Sequence, residues 1–251
     1  MIERILPLGL AVSEAFDDPA DATLFPEEAA VVRHAVDSRR REFTTIRTCA
    51  RRALAELGLP PTPVLPGEGG APRWPATIVG SLTHCAGYRG AVLGRTSDFA
   101  MIGIDAEPHA PLPEGVLDAT TLATERRHLR LLGAADPGVH WDRLLFCMKE
   151  AVFKAWYPFT GQALGFEDAD ITIDLADSTF HARILSPHTP PGIGLTHLEG
   201  RWLTADGLAL AAITVPTTGV PEMATKIVQV SGGPHPGGGG DRHDRRPQGK
   251  Q

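Results

Sequence analysis

Apolar side chains recur every three or four residues in two long stretches of this chain, which predicts two amphipathic helices. The first is expected to begin near Ser38 and to stop before Gly58, with Pro60 and Pro61 beyond it. The second spans residues 141–156 and is expected to end at Pro158, with apolar residues on more than one face, which is typical of a buried helix. Pro26, followed by two glutamates, suits the first turn of a shorter helix, and the first 60 residues as a whole predict helix. Another short helix is predicted over residues 124–132.

Strand-like runs follow each helical region. They are predicted at residues 78–82, 88–93, 101–107, 171–175, 180–185, 201–204 and 208–215. The order is therefore helices and then strands, twice, and the segment YRGAVLG at 88–94 weakly resembles GLALAAI at 207–213. This order predicts an α+β protein made of two related halves, over residues 1–100 and 101–225.

The last 26 residues differ in composition from the rest of the chain. The whole chain has 27 glycines and 22 prolines, and they are dense in SGGPHPGGGG at 231–240. Such a segment has too little apolar surface to offset the entropy lost on ordering, so residues 226–251 are predicted to be a disordered tail.

Charge and cysteine content exclude several classes of protein. The chain carries 24 lysines and arginines against 30 aspartates and glutamates, a net charge of −6, which argues against a general binder of nucleic acid or of anionic membranes. No apolar stretch reaches the roughly 20 residues that a membrane-spanning helix needs. The N-terminus lacks a secretory signal, and the three cysteines are far apart, so we expect a cytoplasmic protein with reduced thiols.

Two acidic residues stand on one predicted strand. Asp105 and Glu107 alternate with Ala106, so both carboxylates should point to the same side. Taken alone, the pair also fits two solvated acids at the end of a strand. Within the helix at 141–156, Glu150 and Lys154 share a face, which fits either a helix ion pair or a functional site. If Glu150 lies near the first pair, three carboxylates could bind Mg²⁺, with Lys149 and Lys154 facing phosphate.

Three further groups offer polar contacts to a ligand. Ser81, Thr83 and His84 lie beside glycines in GSLTHCAGYRGA at 80–91. Arg40, Arg47 and Arg51 fall on one face of the first long helix, where a solvated face is the simpler interpretation. Together with His84 these arginines supply the local positive charge that a polyphosphate needs on an acidic protein.

Three blocks of this sequence resemble the signature motifs of the bacterial 4'-phosphopantetheinyl transferases. They are WPATIVGSLTHCAGYRGAV at 74–92, GIDAEP at 103–108 and WDRLLFCMKEAVFKAWYP at 141–158. The chain is most similar to the Sfp-type subgroup related to the enterobactin-synthase component, over about residues 25–215. These enzymes serve carrier proteins of polyketide, siderophore and nonribosomal peptide synthesis.

The resemblance implies two pseudo-symmetric α/β halves, each with an antiparallel sheet packed by helices, and coenzyme A bound between them. It implies transfer of the 4'-phosphopantetheine arm of coenzyme A to a serine of an apo acyl or peptidyl carrier protein by a monomer, with release of adenosine 3',5'-bisphosphate. Other interpretations are a coenzyme A-binding protein without activity and a different Mg²⁺-dependent phosphoryl-transfer enzyme.

The resemblance also assigns roles to single residues. Asp105, Glu107 and Glu150 would hold Mg²⁺, and Lys154 with Lys149 would contact the phosphates. His84, Ser81 and Thr83 would lie against the coenzyme, and Arg47 with Arg39 or Arg40 would bind its 3'-phosphate end. Glu150 is the candidate base for the serine proton, with a metal-bound water as the alternative.

One loop departs from the pattern of the family. Relatives usually carry a lysine or arginine before the WP block, whereas this chain reads PGEGGAPRWP at 66–75, with no basic residue before Arg73. Either Arg73 substitutes for the missing basic residue, or the coenzyme is held with one contact fewer. Docking of an acidic carrier protein would need a local patch, for which the candidates are Arg126, Arg127 and Arg130 or the apolar Tyr157, Phe159, Leu164 and Phe166.

Overall fold

Two antiparallel sheets, each covered by a helix of 20 residues, form the framework of the chain in a computed structural model that describes residues 1–185 and 195–219. The helices are α1 (Pro26–Val31), α2 (Asp37–Glu56), α3 (Val116–Thr120), α4 (Ala123–Ala135) and α5 (Trp141–Thr160). The strands are β1 (Ala11–Ala15), β2 (Ile78–Cys85), β3 (Tyr88–Arg95), β4 (Phe99–Pro108), β5 (Ala169–Asp174), β6 (Thr179–Ile184), β7 (His197–Ala205) and β8 (Leu208–Pro216). The predicted tail lies outside the described residues.

The two sheets share a strand order that confirms the predicted α+β fold of two similar halves. The smaller sheet has the order β1-β3-β2, and the larger has the order β4-β8-β7-β6-β5. In each, the first strand pairs antiparallel with the last one, as Ala11 with Leu93 and Ile104 with Ala212. The weakly similar segments at 88–94 and 207–213 therefore belong to equivalent strands, β3 and β8. The exact division of the chain at residue 100 stays a prediction.

Two sequence-based predictions were wrong in detail. The first 60 residues contain a strand, β1, whose five residues gain their stability from pairing with β3 rather than from a local pattern. Helix α5 does not end at Pro158 but continues to Thr160, and Gly161 ends it with a left-handed φ of 68°. An exposed proline in the last turn removes only one backbone donor, so the helix tolerates it.

Helix α5 lies unusually close to strand β4, and Gly103 makes this possible. A Cβ atom at Gly103 would stand 2.1 Å from the carbonyl oxygen of Ala151 and 2.6 Å from the backbone nitrogen of Ala155. The odd-numbered residues of β4 after Gly103 therefore face the helix. Ile102, Ile104 and Ala106 face the opposite way, into a core that includes Tyr88 and Leu210. This alternation places Asp105 and Glu107 on the side of α5, and their common direction agrees with the prediction from the sequence.

Each half contains a buried glutamate that joins a short helix to the long one. In the first half, Glu28 of α1 is fully buried and bonds Arg51 of α2 at 2.8 Å. It also accepts the backbone N–H groups of Phe25 and Val64. The equivalent residue of the second half is Glu125 of α4.

Glu125 repeats the same arrangement. It bonds Lys149 of α5 at 2.8 Å and accepts the N–H groups of Leu122 and Ile171. Lys149 also donates to the carbonyl oxygens of Phe166 (2.6 Å) and Ala169 (3.0 Å). All three protons of its ammonium group are therefore engaged within the protein.

We predict that Lys149→Met lowers the free energy of unfolding by about 3–5 kcal/mol, because it leaves the carboxylate of Glu125 buried without its counter-charge. Urea denaturation followed by circular dichroism measures the change. The double variant Lys149→Met with Glu125→Gln should recover part of the loss, and the exposed Arg127→Met is the surface control. A loss for Lys149→Met no larger than that of the control would show that the pair does not stabilise the fold.

Candidate active site

A cleft of about 780 Å³ lies where the two halves meet. Helix α2, strand β2 and the loop at 66–72 form one side, and strand β4 with helix α5 forms the other. The predicted site residues that line it are Arg39, Arg47, Ser81, Thr83, His84, Asp105, Glu107, Glu150 and Lys154. The fold thus gathers most of the predicted residues around one cavity whose size suits a small-molecule ligand.

Strands β2 and β4 are joined at the bottom of this cleft by side chains. The hydroxyl of Ser81 accepts the N–H of Ile104 at 3.1 Å, and the hydroxyl of Thr83 accepts the N–H of Ala106 at 3.0 Å. Both hydroxyl-bearing residues are buried. The edges of the two sheets are therefore connected by two equivalent hydrogen bonds, and Ser81 and Thr83 have a structural role that the sequence did not reveal.

The carboxylate of Asp105 is bonded on one oxygen and not on the other. Its Oδ1 accepts Lys154 Nζ at 2.6 Å and the hydroxyl of Thr83 at 3.0 Å. Its Oδ2 is buried and has no hydrogen-bond partner among the described residues. Burial alone would lower the pKa of Lys154, but the adjacent Asp105 raises it, so the ammonium stays charged.

Glu107 is paired with Arg143, a residue that the local sequence pattern did not single out. Arg143 Nη1 donates to Glu107 Oε2 at 2.9 Å, and the same guanidinium donates to the carbonyl oxygens of Ala110 and Pro111. Burial and the neighbouring Asp105 raise the pKa of Glu107, and Arg143 opposes this. The spacing along the helix could have indicated this position. One face of α5 carries Arg143, Glu150 and Lys154, at intervals of seven and four residues.

Glu150 is the third carboxylate of the cleft and is half-buried. Burial and the charge of Asp105 raise its pKa, while Lys154 opposes the shift. Of the two interpretations that the sequence left open, the helix ion pair with Lys154 is not formed, since Lys154 bonds Asp105 instead. Glu150 therefore faces the cleft with a carboxylate that is easier to protonate than an exposed glutamate.

The oxygen atoms of these three carboxylates are the kind of ligand that a divalent cation such as Mg²⁺ prefers. Within residues 1–185 and 195–219, no three acidic, histidine or cysteine side chains already stand at the spacing of a metal centre. However, the unbonded Asp105 Oδ2 is an oxygen donor that lacks a partner, and Glu107 and Glu150 add two more. Three hard oxygen donors beside a ligand cleft suit Mg²⁺ in particular.

The opposite wall of the cleft carries positive charge. Arg47 is buried, donates from Nε to the carbonyl oxygen of Val64 at 2.6 Å and lies over the ring of Phe43 at 4.1 Å. Burial lowers its pKa to about 10, so it stays charged at neutral pH. Arg39 is about half exposed and lies 2.8 Å from His84 Nε2.

His84 accepts a hydrogen bond from Arg39 at the edge of the cleft. Burial and the charge of Arg39 lower its pKa. Because the N–H of Arg39 donates to Nε2, the ring proton belongs on Nδ1. The imidazole contributes a polar contact to the cleft rather than a second positive charge.

Three of the predicted ligand-binding residues do not line the cleft. Arg40 is exposed and bonds Asp37 and the carbonyl oxygen of Ala35. Arg73 is exposed, with its side chain packed over Gly67 of its own loop. The ammonium group of Lys149 is engaged by Glu125 and two backbone carbonyl oxygens away from the cleft, so this arrangement gives no support to its expected contact with phosphate. A helical pattern alone does not tell which neighbour takes up a charged side chain, and here Glu125 does.

The predicted docking surfaces on the second half differ in exposure. Arg127 and Arg130 of α4 are exposed, whereas Arg126 is bonded to the carbonyl oxygen of Thr121. The apolar candidates do not form one surface patch, because Phe159 belongs to the core and Tyr157 lines the cleft. Among the described residues, none of the helices is both long and apolar enough to cross a membrane.

Carboxylates on one wall and arginines on the other are the groups that can hold a divalent cation and phosphate oxygens. Comparison with known proteins specifies the class. A family model described as 4'-phosphopantetheinyl transferase N-terminal domain matches residues 27–94, and one described as 4'-phosphopantetheinyl transferase superfamily matches residues 101–211. The chain belongs to the 4'-phosphopantetheinyl transferase family and is an enzyme that transfers the phosphopantetheine group.

Three relatives are similar over most of both chains. 4'-Phosphopantetheinyl transferase Svp of Streptomyces mobaraensis is 52% identical over 221 residues, 86% of this chain and 89% of that protein. 4'-Phosphopantetheinyl transferase Npt of Nocardia iowensis is 49% identical over 85% of this chain and 99% of that protein. 4'-Phosphopantetheinyl transferase PptT of Mycobacterium tuberculosis is 53% identical over 86% of this chain and 98% of that protein.

The subgroup expected from the sequence is a more distant match. Enterobactin synthase component D of Escherichia coli K12 is 34% identical over 129 residues, which is 50% of this chain and 59% of that protein. The family is therefore confirmed, while the chain is more similar to the three transferases above than to the enterobactin-synthase component.

The unusual loop before the WP block has a structural reason for its glycine. Gly69 has a φ of 61°, and a Cβ atom there would stand 2.4 Å from Cζ of Tyr157. Tyr157 in turn stacks on Phe153, with ring centroids 5.6 Å apart. The loop thus lies directly on an aromatic pair of α5, so a longer side chain at this position would have to displace that pair.

Gly69→Ala should lower the free energy of unfolding more than Gly70→Ala. Gly70 also has a positive φ, 82°, but nothing stands within 4 Å of a Cβ atom there. The Gly70→Ala variant therefore measures the backbone strain alone, which is about 1–2 kcal/mol. The clash with Tyr157 should add about 1–3 kcal/mol at Gly69. Urea denaturation of both variants measures the difference. Equal losses would show that the loop does not rest on Tyr157.

Proposed function

We propose that this enzyme moves the 4'-phosphopantetheine arm of coenzyme A to a serine of an apo acyl or peptidyl carrier protein, with Mg²⁺, and releases adenosine 3',5'-bisphosphate. The proposal is supported mainly by the charged residues that line the cleft. Its lining includes the carboxylates of Asp105, Glu107 and Glu150 on one wall, and Arg39 and Arg47 on the other. A molecule that carries both a pyrophosphate, which can bind a divalent cation, and a 3'-phosphate suits such a pair of walls.

Each wall of the cleft is assigned to a different part of coenzyme A. Arg47 is held in place by Val64 and Phe43, so its charge is already oriented toward the cleft before a ligand arrives. Arg39, which is about half exposed, and His84 add further polar contacts beside it. We assign the 3'-phosphate end of coenzyme A to this wall, which leaves the pyrophosphate facing the carboxylates.

Asp105, Glu107 and Glu150 would hold Mg²⁺, which would neutralise the pyrophosphate and favour departure of the nucleotide. Lys154 lies beside Asp105 with 27% of its side-chain surface exposed, so its ammonium can also contact a phosphate oxygen. The serine oxygen of the carrier forms the new bond to phosphorus, and the bond from phosphorus to the nucleotide oxygen breaks. This reaction needs alignment and charge neutralisation more than a protein nucleophile.

Glu150 is the group that we assign to accept the serine proton. Its carboxylate lies at the cleft, where the serine of the carrier must enter. Glu107 is less suited, because Arg143 holds its carboxylate. A cytoplasmic location and a monomeric state are kept as expectations from the sequence.

Incubation with coenzyme A, Mg²⁺ and an apo carrier protein should add about 340 Da, the phosphopantetheine arm, to the carrier, as measured by intact mass spectrometry. Asp105→Asn and Glu150→Gln should each reduce the rate by more than about a hundredfold, because each removes an oxygen donor and a charge from the cation site. The matched control is Asp37→Asn, which removes an exposed carboxylate paired with Arg40 outside the cleft.

Near-normal loading by Asp105→Asn or Glu150→Gln, with folding confirmed by circular dichroism, would contradict the assignment of the cation site. Turnover of coenzyme A at the same rate with and without the carrier would indicate a different phosphoryl-transfer reaction.

The exposed face of α4 is where we place the carrier protein. Arg127 and Arg130 are exposed there, and Leu131 of the same helix is 66% exposed. The surface therefore combines positive and apolar groups. Carrier proteins are typically acidic, and this surface offers local positive charge on an otherwise acidic chain.

Charge reversal of the α4 surface, Arg127→Glu with Arg130→Glu, should raise KM for the carrier several-fold while KM for coenzyme A stays unchanged, because rim charges act mainly on encounter. Steady-state kinetics with each substrate varied in turn measures both values. Arg40→Glu, an exposed change on the first half, is the control. Equal increases in both KM values would place the effect in the cleft rather than on α4.

A further inference from the structure

Thr83 contacts both halves of the protein and the central carboxylate at once. Its hydroxyl accepts the N–H of Ala106 at 3.0 Å and donates to Asp105 Oδ1 at 3.0 Å, and only 1% of the residue is exposed. We propose that Thr83 is a positioning residue that fixes the carboxylate of Asp105, so that Oδ2 stays available to a divalent cation. The inference rests on the proposed function in assigning that cation to Asp105.

The hydrogen-bond capacity of the hydroxyl determines its direction. A threonine hydroxyl has one proton and two lone pairs. The N–H of Ala106 is a donor and occupies a lone pair, so the proton is available to Asp105. Because Ala106 belongs to the same strand as Asp105, the bond to its backbone holds the hydroxyl at a fixed place relative to the carboxylate.

Lys154 explains why the second bond to Asp105 is needed. The ammonium lies 2.6 Å from Oδ1 and can rotate its three protons, whereas the terminal torsion of an aspartate has broad minima. With Lys154 alone, the carboxylate could turn and offer both oxygens to the ammonium. The bond from Thr83 keeps Lys154 and the hydroxyl together on Oδ1, and Oδ2 is left without a partner.

Ser81 offers an internal comparison. It lies two residues earlier on β2, is 3% exposed, and joins the sheets by the equivalent bond from the N–H of Ile104 at 3.1 Å. The residue before Ile104 is Gly103, which has no side chain, whereas the residue before Ala106 is Asp105. Ser81 therefore shares the structural role of Thr83 but not the proposed positioning role, so the two roles can be separated by mutation.

The test is the affinity for Mn²⁺ in the presence of saturating coenzyme A without a carrier protein, measured from the electron paramagnetic resonance signal of unbound Mn²⁺. Thr83→Val, which keeps the shape and removes the hydroxyl, should weaken Mn²⁺ binding by about tenfold or more. Thr83→Ser should restore affinity to within about threefold of the parent, and Ser81→Ala should weaken Mn²⁺ binding clearly less than Thr83→Val does. Thr83→Ala replaces Thr83→Val if circular dichroism shows the latter to be unfolded.

Equal weakening by Thr83→Val and Ser81→Ala would overturn the inference, because it would reduce Thr83 to a link between the sheets. Unchanged affinity in the Thr83 variants would overturn it as well. Loading of an apo carrier by the parent protein tests the proposed function separately. If the parent binds Mn²⁺ but does not load the carrier, and Thr83→Val alone weakens binding, the positioning role stands while the proposed function fails. A parent that binds no Mn²⁺ contradicts both.

Discussion

The buried carboxylate of Asp105 is the constraint on which the rest of the site depends. A carboxylate that is 4% exposed is costly unless its charge is compensated, and here one oxygen is compensated while the other is not. Lys154 reaches it because Gly103 lets α5 lie against β4, and Thr83 reaches it because β2 lies beside the same strand. The arrangement of both sheets and the long helix thus converges on one oxygen atom.

The two halves have similar buried ion pairs but place residues of opposite charge at the cleft. Each contains a fully buried glutamate that ties a short helix to a basic residue of its long helix, Glu28 with Arg51 and Glu125 with Lys149. These pairs hold helices and loops in place and lie apart from the reacting groups. The second half places acidic residues at the cleft, and the first half contributes arginines, so the cleft lies between two surfaces of opposite charge.

Local patterns were sufficient to predict much of the fold. Spacing along the chain predicted both long helices, most strands and the common direction of Asp105 and Glu107, because these depend on helical and strand periodicity. Contacts between distant residues could not be obtained that way. Strand β1 depends on pairing with β3, the engagement of Lys149 depends on Glu125, and the bond of Arg143 to Glu107 depends on how α5 lies against β4. The role of Gly69 likewise depends on Tyr157, which is far from it in sequence.

A crystal structure of the protein with coenzyme A and Mn²⁺, in which anomalous diffraction locates the metal, tests the assignment of the cation site most directly. We expect an anomalous peak within about 2.5 Å of Asp105 Oδ2, with Lys154 and Thr83 close to the other oxygen and with the nucleotide of coenzyme A beside Arg39 and Arg47. A peak elsewhere, or coenzyme A bound outside the cleft between the two halves, would contradict it.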